Sequence, residues 1–268
     1  MPDTSGVPVL EATGLRKQFG DLVAVDDVSF TLPRGRSLAI VGESAAGKTT
    51  IARMIVGLER PTSGTITACG YDRSRPPRSA RERRRRGREV QIVFQDPYTS
   101  LDPRQTAEAT IDEVLRLHHG WPPERRRART AELADLVGLD KRQSRALPRS
   151  LSGGQRQRVA IARALAAQPA ALILDESVAA LDASIQAQVL NLLADIRDEI
   201  SISYILISHD LAVVRQLTDE TLVLHRGRVV ERGPTARVLD SPEHPYTQRL
   251  RASIPRPGWK PSGGWHAA

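Results

Sequence analysis

Two patterns of apolar residues divide the chain into strand-rich ends and a helical middle. Apolar and polar side chains alternate through residues 7–15 and 28–32, which predicts antiparallel strands with one buried face. Continuous apolar runs, which predict buried strands, cover residues 37–41, 90–94, 171–174 and 202–208. Two further runs, 221–224 and 229–232, predict a hairpin with Gly227 in its turn. Together these elements predict an α/β fold that begins with an antiparallel β subdomain.

Helical spacing replaces the strand pattern after residue 106. Apolar residues recur there at steps of three and four, at Ile111, Val114, Leu115, Leu133, Leu136 and Val137. We interpret residues 97–168 as a helical subdomain inserted between two parts of the sheet. Residues 59–89 contain proline and glycine turn signals, and we expect them to form a polar excursion without new core. Residues 241–268 form a C-terminal extension in this interpretation.

The stretch from Gly42 to Thr50 carries the clearest chemical signal. It fits the spacing G-x-x-x-x-G-K-[ST] between a predicted strand and a predicted helix, which is the context of a phosphate-binding loop. Its members are Gly42, Glu43, Ser44, Ala45, Ala46, Gly47, Lys48, Thr49 and Thr50. Lys48 is expected to reach the β- and γ-phosphates, and the Thr49 hydroxyl to bind Mg²⁺. Ala45 places a Cβ where a positive φ is often needed, so we expect a cost to nucleotide affinity.

A second anion-binding feature lies much later in the chain. It consists of Ser152, Gly153, Gly154 and Gln155, directly before a helix predicted over residues 156–167. Ser152 has the chemistry of an N-cap, and the glycines expose backbone N–H groups at the positive end of the helix. Because the helical insertion separates this feature from Lys48, we expect it to act on the nucleotide of another copy.

Four further residues are candidates for the chemistry of a triphosphate. After an apolar run, Asp175 is placed to bind Mg²⁺ and Glu176 to take a proton from the water that attacks the γ-phosphate. His209 follows another strand and could bond the γ-phosphate, although a lone histidine there is more often structural. Gln95 ends a strand and could coordinate Mg²⁺ or the attacking water, but this signal is weak by itself.

An aromatic residue, Phe19, lies ahead of the loop in the sequence. It could stack on an adenine ring, but from these residues alone a core phenylalanine is the better interpretation.

Composition limits the classes of protein. The 268 residues are 40% hydrophobic and 26% charged, which is the soluble globular range. We find neither an apolar run long enough to span a membrane nor the pattern of a secretion signal. The net charge of +8 comes mostly from arginine. The densest arginine runs, 81–86 and 124–127, contain acidic residues and no aromatics, which favours solvated helix faces over a base-stacking surface.

The order of these motifs resembles that of ATP-binding cassette proteins over nearly the whole chain. Residues 151–155 match the signature of that family, and residues 155–165 resemble its usual continuation. The resemblance implies a P-loop NTPase fold with a RecA-like mixed sheet over residues 1–240. It also implies that Phe19 stacks on adenine, that Asp175 binds Mg²⁺, and that Gln95 senses Mg²⁺ and the membrane partner. Catalysis is implied for Glu176 with Lys48, and a switch function for His209. Asp182 is implied to make an intersubunit contact.

Two segments narrow the branch of this family. Residues 94–104 and 242–247 resemble the ATPase subunits of oligopeptide, dipeptide and nickel importers. The resemblance implies ATP and Mg²⁺ as cofactors, a position on the cytoplasmic face of the membrane, and transmembrane permease subunits as partners. It also implies a second ATPase subunit, more often unlike than identical, and indirectly an extracytoplasmic substrate-binding protein; no nucleic acid is expected. Ser177 and Ala180 depart from the family's usual proline and serine, which leaves the turnover rate open.

Two other functions remain open from the sequence. A soluble cassette protein could use the arginine runs to bind nucleic acid or ribosomes. A regulatory cassette could bind ATP with little hydrolysis, although the presence of Glu176 and His209 argues against this.

Overall fold

A computed structural model describes residues 7–96, 100–179 and 181–252. The strands are β1 (Leu10–Phe19), β2 (Leu22–Leu32), β3 (Ser37–Val41), β4 (Ser63–Ala68), β5 (Tyr71–Asp72), β6 (Val90–Val93), β7 (Ala171–Asp175), β8 (Ser203–Ser208), β9 (Glu220–His225) and β10 (Arg228–Pro234). The α-helices are α1 (Lys48–Val56), α2 (Ala80–Glu89), α3 (Ala107–His118), α4 (Pro123–Leu136), α5 (Lys141–Ser144), α6 (Gly153–Ala166), α7 (Ala183–Ile200), α8 (Leu211–Leu217), α9 (Thr235–Asp240) and α10 (Pro245–Ala252). This is the α/β class that the sequence predicts.

The first sheet is antiparallel, with the strand order β2-β1-β4-β5. β1 and β2 pair from Leu10 opposite Leu32 to Phe19 opposite Leu22. The two predicted alternating strands are confirmed with different bounds, since β1 begins later and ends later than residues 7–15 and β2 begins earlier than residue 28. Phe19 is therefore the last residue of β1.

The second sheet has the order β10-β9-β3-β8-β7-β6 and is mixed, as the family resemblance implied. All neighbours pair in parallel except β9 and β10, which form the predicted closing hairpin. Its two turn residues, Arg226 and Gly227, both have positive φ, at 48° and 79°, as the tight turn of a hairpin requires. In the registers, Val41 lies opposite Ser208 and Asp175 opposite Ile207. The carboxyl ends of β3, β8 and β7 therefore lie side by side, where open parallel sheets bind ligands.

The interpretation of residues 59–89 as a polar excursion without core was wrong. β4 pairs with β1, and its residues Ile66 and Ala68 are fully buried in the core. Small residues and threonines alternate with these two positions, so the apolar signal was too short to predict a strand. β4 thus completes the hydrophobic face of the first sheet.

The helical insertion between β6 and β7 is confirmed. Ile111, Leu115, Leu133 and Val137 are fully buried in one hydrophobic core. The proposed bounds of 97–168 stay a prediction, as does the division between residues 1–240 and 241–268. No helix of the described ranges is long and apolar enough to cross a membrane.

Candidate nucleotide-binding site

The loop between β3 and α1 encloses a buried lysine. Lys48 is the first residue of α1, and its Nζ donates hydrogen bonds to the carbonyl oxygens of Gly42 at 2.9 Å and Glu43 at 2.8 Å. Burial lowers the pKa of Lys48, and the carboxylates of Glu176 and Asp175 oppose that shift. The lysine is held at the start of a helix, where the dipole favours anions.

Both glycines of the loop are required by close backbone approach. A Cβ on Gly42 would lie 2.2 Å from the carbonyl oxygen of Leu224, and one on Gly47 would lie 2.4 Å from that of Ala24. Ala45 has φ of 62°, so the expected positive φ is confirmed at a residue that carries a Cβ. Ser44 and Ala45 form the exposed tip of the loop, while Ala46 is buried.

The oxygen atoms proposed for Mg²⁺ lie together beneath the loop. The Thr49 hydroxyl donates to Asp175 Oδ1 at 3.3 Å. Burial raises the pKa of Asp175, and the hydrogen bond from Thr49 opposes that shift. Within the described ranges, no group of three or more His, Cys, Asp or Glu side chains is arranged to hold a metal. One hydroxyl and one carboxylate suit Mg²⁺, which takes few protein ligands and completes its shell with phosphate oxygens and water.

The structure brings Glu176 and His209 together at the neighbouring strand ends. Glu176 follows β7 and has a left-handed backbone conformation, with φ of 47°. Its N–H donates to the carbonyl oxygen of Ile207 at 2.9 Å. Its Oε1 lies 3.5 Å from Nδ1 of His209, which follows β8. The side chain of His209 is 59% exposed, so the imidazole is open to solvent beside the carboxylate.

The alternative of Phe19 as a core residue is wrong, whereas adenine stacking by Phe19 stays a prediction. Its side chain is 44% exposed at the end of β1, with Lys17 Nζ 4.6 Å from the ring centroid. Gln95 is exposed and lies two residues beyond β6, because the strand ends at Val93 rather than at Gln95 as predicted. Val93 pairs with Leu174, which places Gln95 at the same sheet edge as Asp175.

The signature residues begin α6 at a distinct part of the fold. Ser152 and Gln155 form a capping box, in which Gln155 N–H donates to Ser152 Oγ and Ser152 N–H donates to Gln155 Oε1. The helix starts earlier than predicted, at Gly153, because Ser152 is its N-cap. α6 packs mainly on α3, α4 and β6, and its buried apolar residues belong to a different core cluster from those of α1.

Asp182 is brought close to this helix start. It is the N-cap residue of α7, and a Cβ on Gly153 would lie 3.7 Å from Leu181 Cδ2. A Cβ on Gly154 would lie 2.4 Å from Ile185 Cγ2, so the second glycine allows the two helix starts to approach.

Sequence reasoning missed the residues that support the phosphate loop from behind. The Gly227 N–H donates to the carbonyl oxygen of Ala46 at 3.0 Å, and the Tyr246 hydroxyl accepts from the Glu43 N–H at 3.0 Å. Tyr246 lies in residues 242–247, which contain His244-Pro245-Tyr246 and resemble peptide importer ATPases, but no local pattern could indicate which distant loop this segment contacts.

A lysine buried under a glycine-containing loop, with acidic residues at the adjacent ends of parallel strands, defines a P-loop NTPase. The family model "ABC transporter" matches residues 25–179, and the model "Oligopeptide/dipeptide transporter, C-terminal region" matches residues 230–265. The chain therefore belongs to the ABC transporter family.

Similar proteins cover nearly the whole chain. The dipeptide transport ATP-binding protein DppF of Haemophilus influenzae is 40% identical over 93% of this chain and 79% of its own length. A putative peptide import ATP-binding protein of Brucella abortus is 46% identical over 91% of this chain and 73% of its own length. Among solved structures, the dimeric ATP-binding cassette MJ0796 in a post-hydrolysis state with ADP and Pi has a TM-score of 0.76 at 27% identity, covering 84% of this chain and 98% of that one.

Proposed function

We propose that this chain is the ATP-hydrolysing subunit that powers a membrane importer of peptides. One observation carries the proposal: five candidate residues lie together at the carboxyl ends of the adjacent parallel strands β3, β7 and β8. They are Lys48, Thr49, Asp175, Glu176 and His209. The similarity to dipeptide and peptide import ATP-binding proteins over most of the chain supports the transport role.

In this proposal the phosphate loop and Lys48 bind the triphosphate, and Phe19 stacks on the adenine. Thr49 and Asp175 hold Mg²⁺, which neutralises charge on the phosphate oxygens when bound. The buried position of Asp175 suits this role, because a carboxylate out of water gains most from a nearby cation. Catalysis of phosphoryl transfer is mostly positioning and charge stabilisation, and these residues supply both.

Glu176 is the proposed general base. Its contact with His209 fixes the direction of the carboxylate, and the exposed imidazole is available to bond the γ-phosphate. Gln95, two residues beyond an edge strand, is proposed to respond to both Mg²⁺ and the permease.

The active unit in this proposal is a head-to-tail pair of cassettes on the cytoplasmic face of the membrane. Ser152 is exposed and begins α6, whose buried residues belong to a different core cluster from those of α1, so it is suited to contact the triphosphate held by a neighbour. The neighbour is proposed to be an unlike ATPase subunit, with an identical one as the alternative. The pair would drive transmembrane permease subunits that receive peptides from an extracytoplasmic binding protein.

The arginine runs do not favour a nucleic-acid function. Arg86 forms an ion pair with Glu82 at 2.6 Å and donates to the backbone carbonyls of Asp72, Arg73 and Arg75. In the second run, Arg126 pairs with Asp112 at 2.8 Å. Guanidinium groups engaged within the chain are less available to phosphates of a nucleic acid.

The Glu176→Gln variant tests the proposed function. We expect it to retain ATP binding and to hydrolyse ATP about 10²- to 10⁴-fold more slowly, because the amide cannot accept the proton of the attacking water. Hydrolysis is measured as phosphate release by the purified transporter, and binding by titration with a fluorescent ATP analogue. The Lys48→Ala variant is the control and should lose nucleotide binding. Unchanged hydrolysis by Glu176→Gln would contradict the assignment of the base.

A further inference from the structure

The segment that follows β10 folds back onto the hairpin beside the phosphate loop. The Glu231 carboxylate accepts hydrogen bonds from the N–H groups of Glu243 at 2.9 Å and His244 at 3.1 Å. Immediately afterwards α10 begins at Pro245, and the His244 Nδ1 accepts from the Tyr246 N–H at 3.1 Å. These contacts fix the start of α10 on β10.

Tyr246 is the residue of this segment that reaches the nucleotide site. Its side chain is only 2% exposed, and its ring lies 3.9 Å from the ring of His225 between centroids. The hydroxyl accepts a hydrogen bond of 3.0 Å from the N–H of Glu43. A buried tyrosine hydroxyl in such a place needs a partner, and here the partner belongs to the phosphate loop.

The peptide group that Tyr246 contacts is one of the two whose carbonyl oxygens hold Lys48. The N–H of Glu43 and the carbonyl of Gly42 belong to the same planar peptide unit. Lys48 Nζ donates to that Gly42 oxygen at 2.9 Å, and Tyr246 accepts from the opposite end of the unit. The orientation of this peptide therefore depends on the tyrosine at one end and the lysine at the other.

We propose that Tyr246 is a positioning residue of the ATP site, whose hydroxyl fixes the peptide between Gly42 and Glu43 so that Lys48 and the loop are preorganised for a triphosphate. The inference rests on the proposed function of the loop in ATP binding. It gives the C-terminal segment a direct part in nucleotide affinity. Preorganisation acts by removing an ordering cost from the binding step.

The Tyr246→Phe variant removes the hydroxyl and keeps the buried ring. We expect the Kd and the KM for ATP to rise about three- to tenfold, as for the loss of one hydrogen bond. The kcat at saturating ATP should change less than about twofold, because nucleotide binding restores the loop and the hydroxyl does not touch the reacting atoms. A general loss of folded protein would lower the amplitude of binding without changing the Kd.

The Tyr204→Phe variant is the matched control. Tyr204 is also fully buried, and its hydroxyl donates to the carbonyl oxygen of Leu193 at 2.8 Å, at the end of β8 away from Ser208. The same atom is removed from the core without a contact to the loop, so its Kd for ATP should match that of the wild type. Equal affinity of wild type and Tyr246→Phe, or an equal weakening in both variants, would overturn the inference.

Hydrogen exchange of the Glu43 amide tests the inference on the wild-type protein alone, so it does not depend on whether a variant folds. In the nucleotide-free wild-type protein this amide should exchange slowly, because Tyr246 accepts its hydrogen. Exchange at the rate of an unprotected amide would overturn the inference even if Tyr246→Phe fails to fold. Failure of the wild type itself to bind ATP would instead contradict the proposed function.

Discussion

Two residues of the candidate site adopt a backbone conformation that favours glycine. Ala45 has φ of 62° in the phosphate loop, and Glu176 has φ of 47° directly after β7. A left-handed residue with a Cβ costs about 1–2 kcal/mol, and such residues persist where the surrounding structure enforces them. At Glu176 the conformation turns the chain so that the side chain meets His209, whereas at Ala45 no contact in the described structure explains the alanine.

Replacement of Ala45 by glycine should therefore stabilise the protein. Relief of the left-handed strain gains about 1–2 kcal/mol, and the greater freedom of glycine in the unfolded chain offsets about 0.5–1 kcal/mol of it. We expect a net gain of about 0.5–1 kcal/mol in the free energy of unfolding, with tighter ATP binding. Denaturant unfolding and nucleotide titration measure the two effects.

The neighbouring Ser44 provides the control for this substitution. It lies in the same exposed loop tip but does not have a positive φ, so Ser44→Gly should lower the free energy of unfolding. A gain from Ser44→Gly equal to that from Ala45→Gly would show that the backbone conformation is not the cause.

At the residue scale, the sequence predicted the positions whose chemistry depends on near neighbours. Lys48 and Thr49 belong to one short motif, and Asp175 follows one apolar run, so local pattern was enough. Phe19 shows the limit, because its exposure depends on where β1 ends and on what covers that end. Neither fact is encoded in adjacent residues.

At the scale of elements, α6 and α7 approach closely at their first turns. Gly154 lies where a Cβ would come within 2.4 Å of Ile185 Cγ2, an atom on a branched carbon that cannot swing away freely. The second glycine of the signature, which we expected to expose its N–H group, is buried and has a packing role.

The Gly154→Ala variant should lower stability despite the better helix propensity of alanine. The propensity gain is about 0.5–1 kcal/mol, whereas overpacking costs typically about 1–3 kcal/mol. We expect a net loss of about 1–2 kcal/mol in the free energy of unfolding, measured with urea. When Ile185 is already replaced by alanine, adding Gly154→Ala should no longer lower the free energy of unfolding. If Gly154→Ala costs as much in the Ile185→Ala protein as in the wild type, the cost does not come from the contact with Ile185.

The elements themselves were predictable to different extents. Long apolar runs and helical spacing predicted β3, β7, β8 and the buried face of α3, because many residues carry each pattern. β4 was missed because only Ile66 and Ala68 provide its apolar face. The strand exists because β1 offers a partner, and that pairing is a tertiary effect.

At the scale of the whole molecule, the two anion-binding features lie on different helix starts. Lys48 begins α1 and Ser152 caps α6, and the buried apolar residues of these two helices belong to different core clusters. A second molecule is therefore needed to supply a signature to each triphosphate in the proposed mechanism.

Crosslinking tests this arrangement. In a Ser152→Cys variant, a short thiol-reactive photocrosslinker should capture the neighbouring cassette when ATP is bound and not when it is absent. The native Cys69 should react poorly, because burial raises the pKa of its thiol. Mass spectrometry of the crosslinked peptide should identify the phosphate loop of the neighbour.

An exposed serine elsewhere serves as the control for crosslinking. Ser241 follows α9 and is exposed, so a Ser241→Cys variant should be labelled but should not capture the phosphate loop. Capture by both variants, or by Ser152→Cys equally without ATP, would contradict the head-to-tail pair.

The position of β3 has a consequence for how the protein is made. Both neighbours of this strand in the sheet, β8 and β9, come from the last part of the chain, beginning at Ser203 and Glu220. During synthesis from the amino terminus, β3 leaves the ribosome long before either partner exists. The loop that follows it can reach its final form only after both β8 and β9 have been synthesised. A message truncated before these strands would yield a product that contains every residue from Gly42 to Thr50 and still lacks the frame that shapes them.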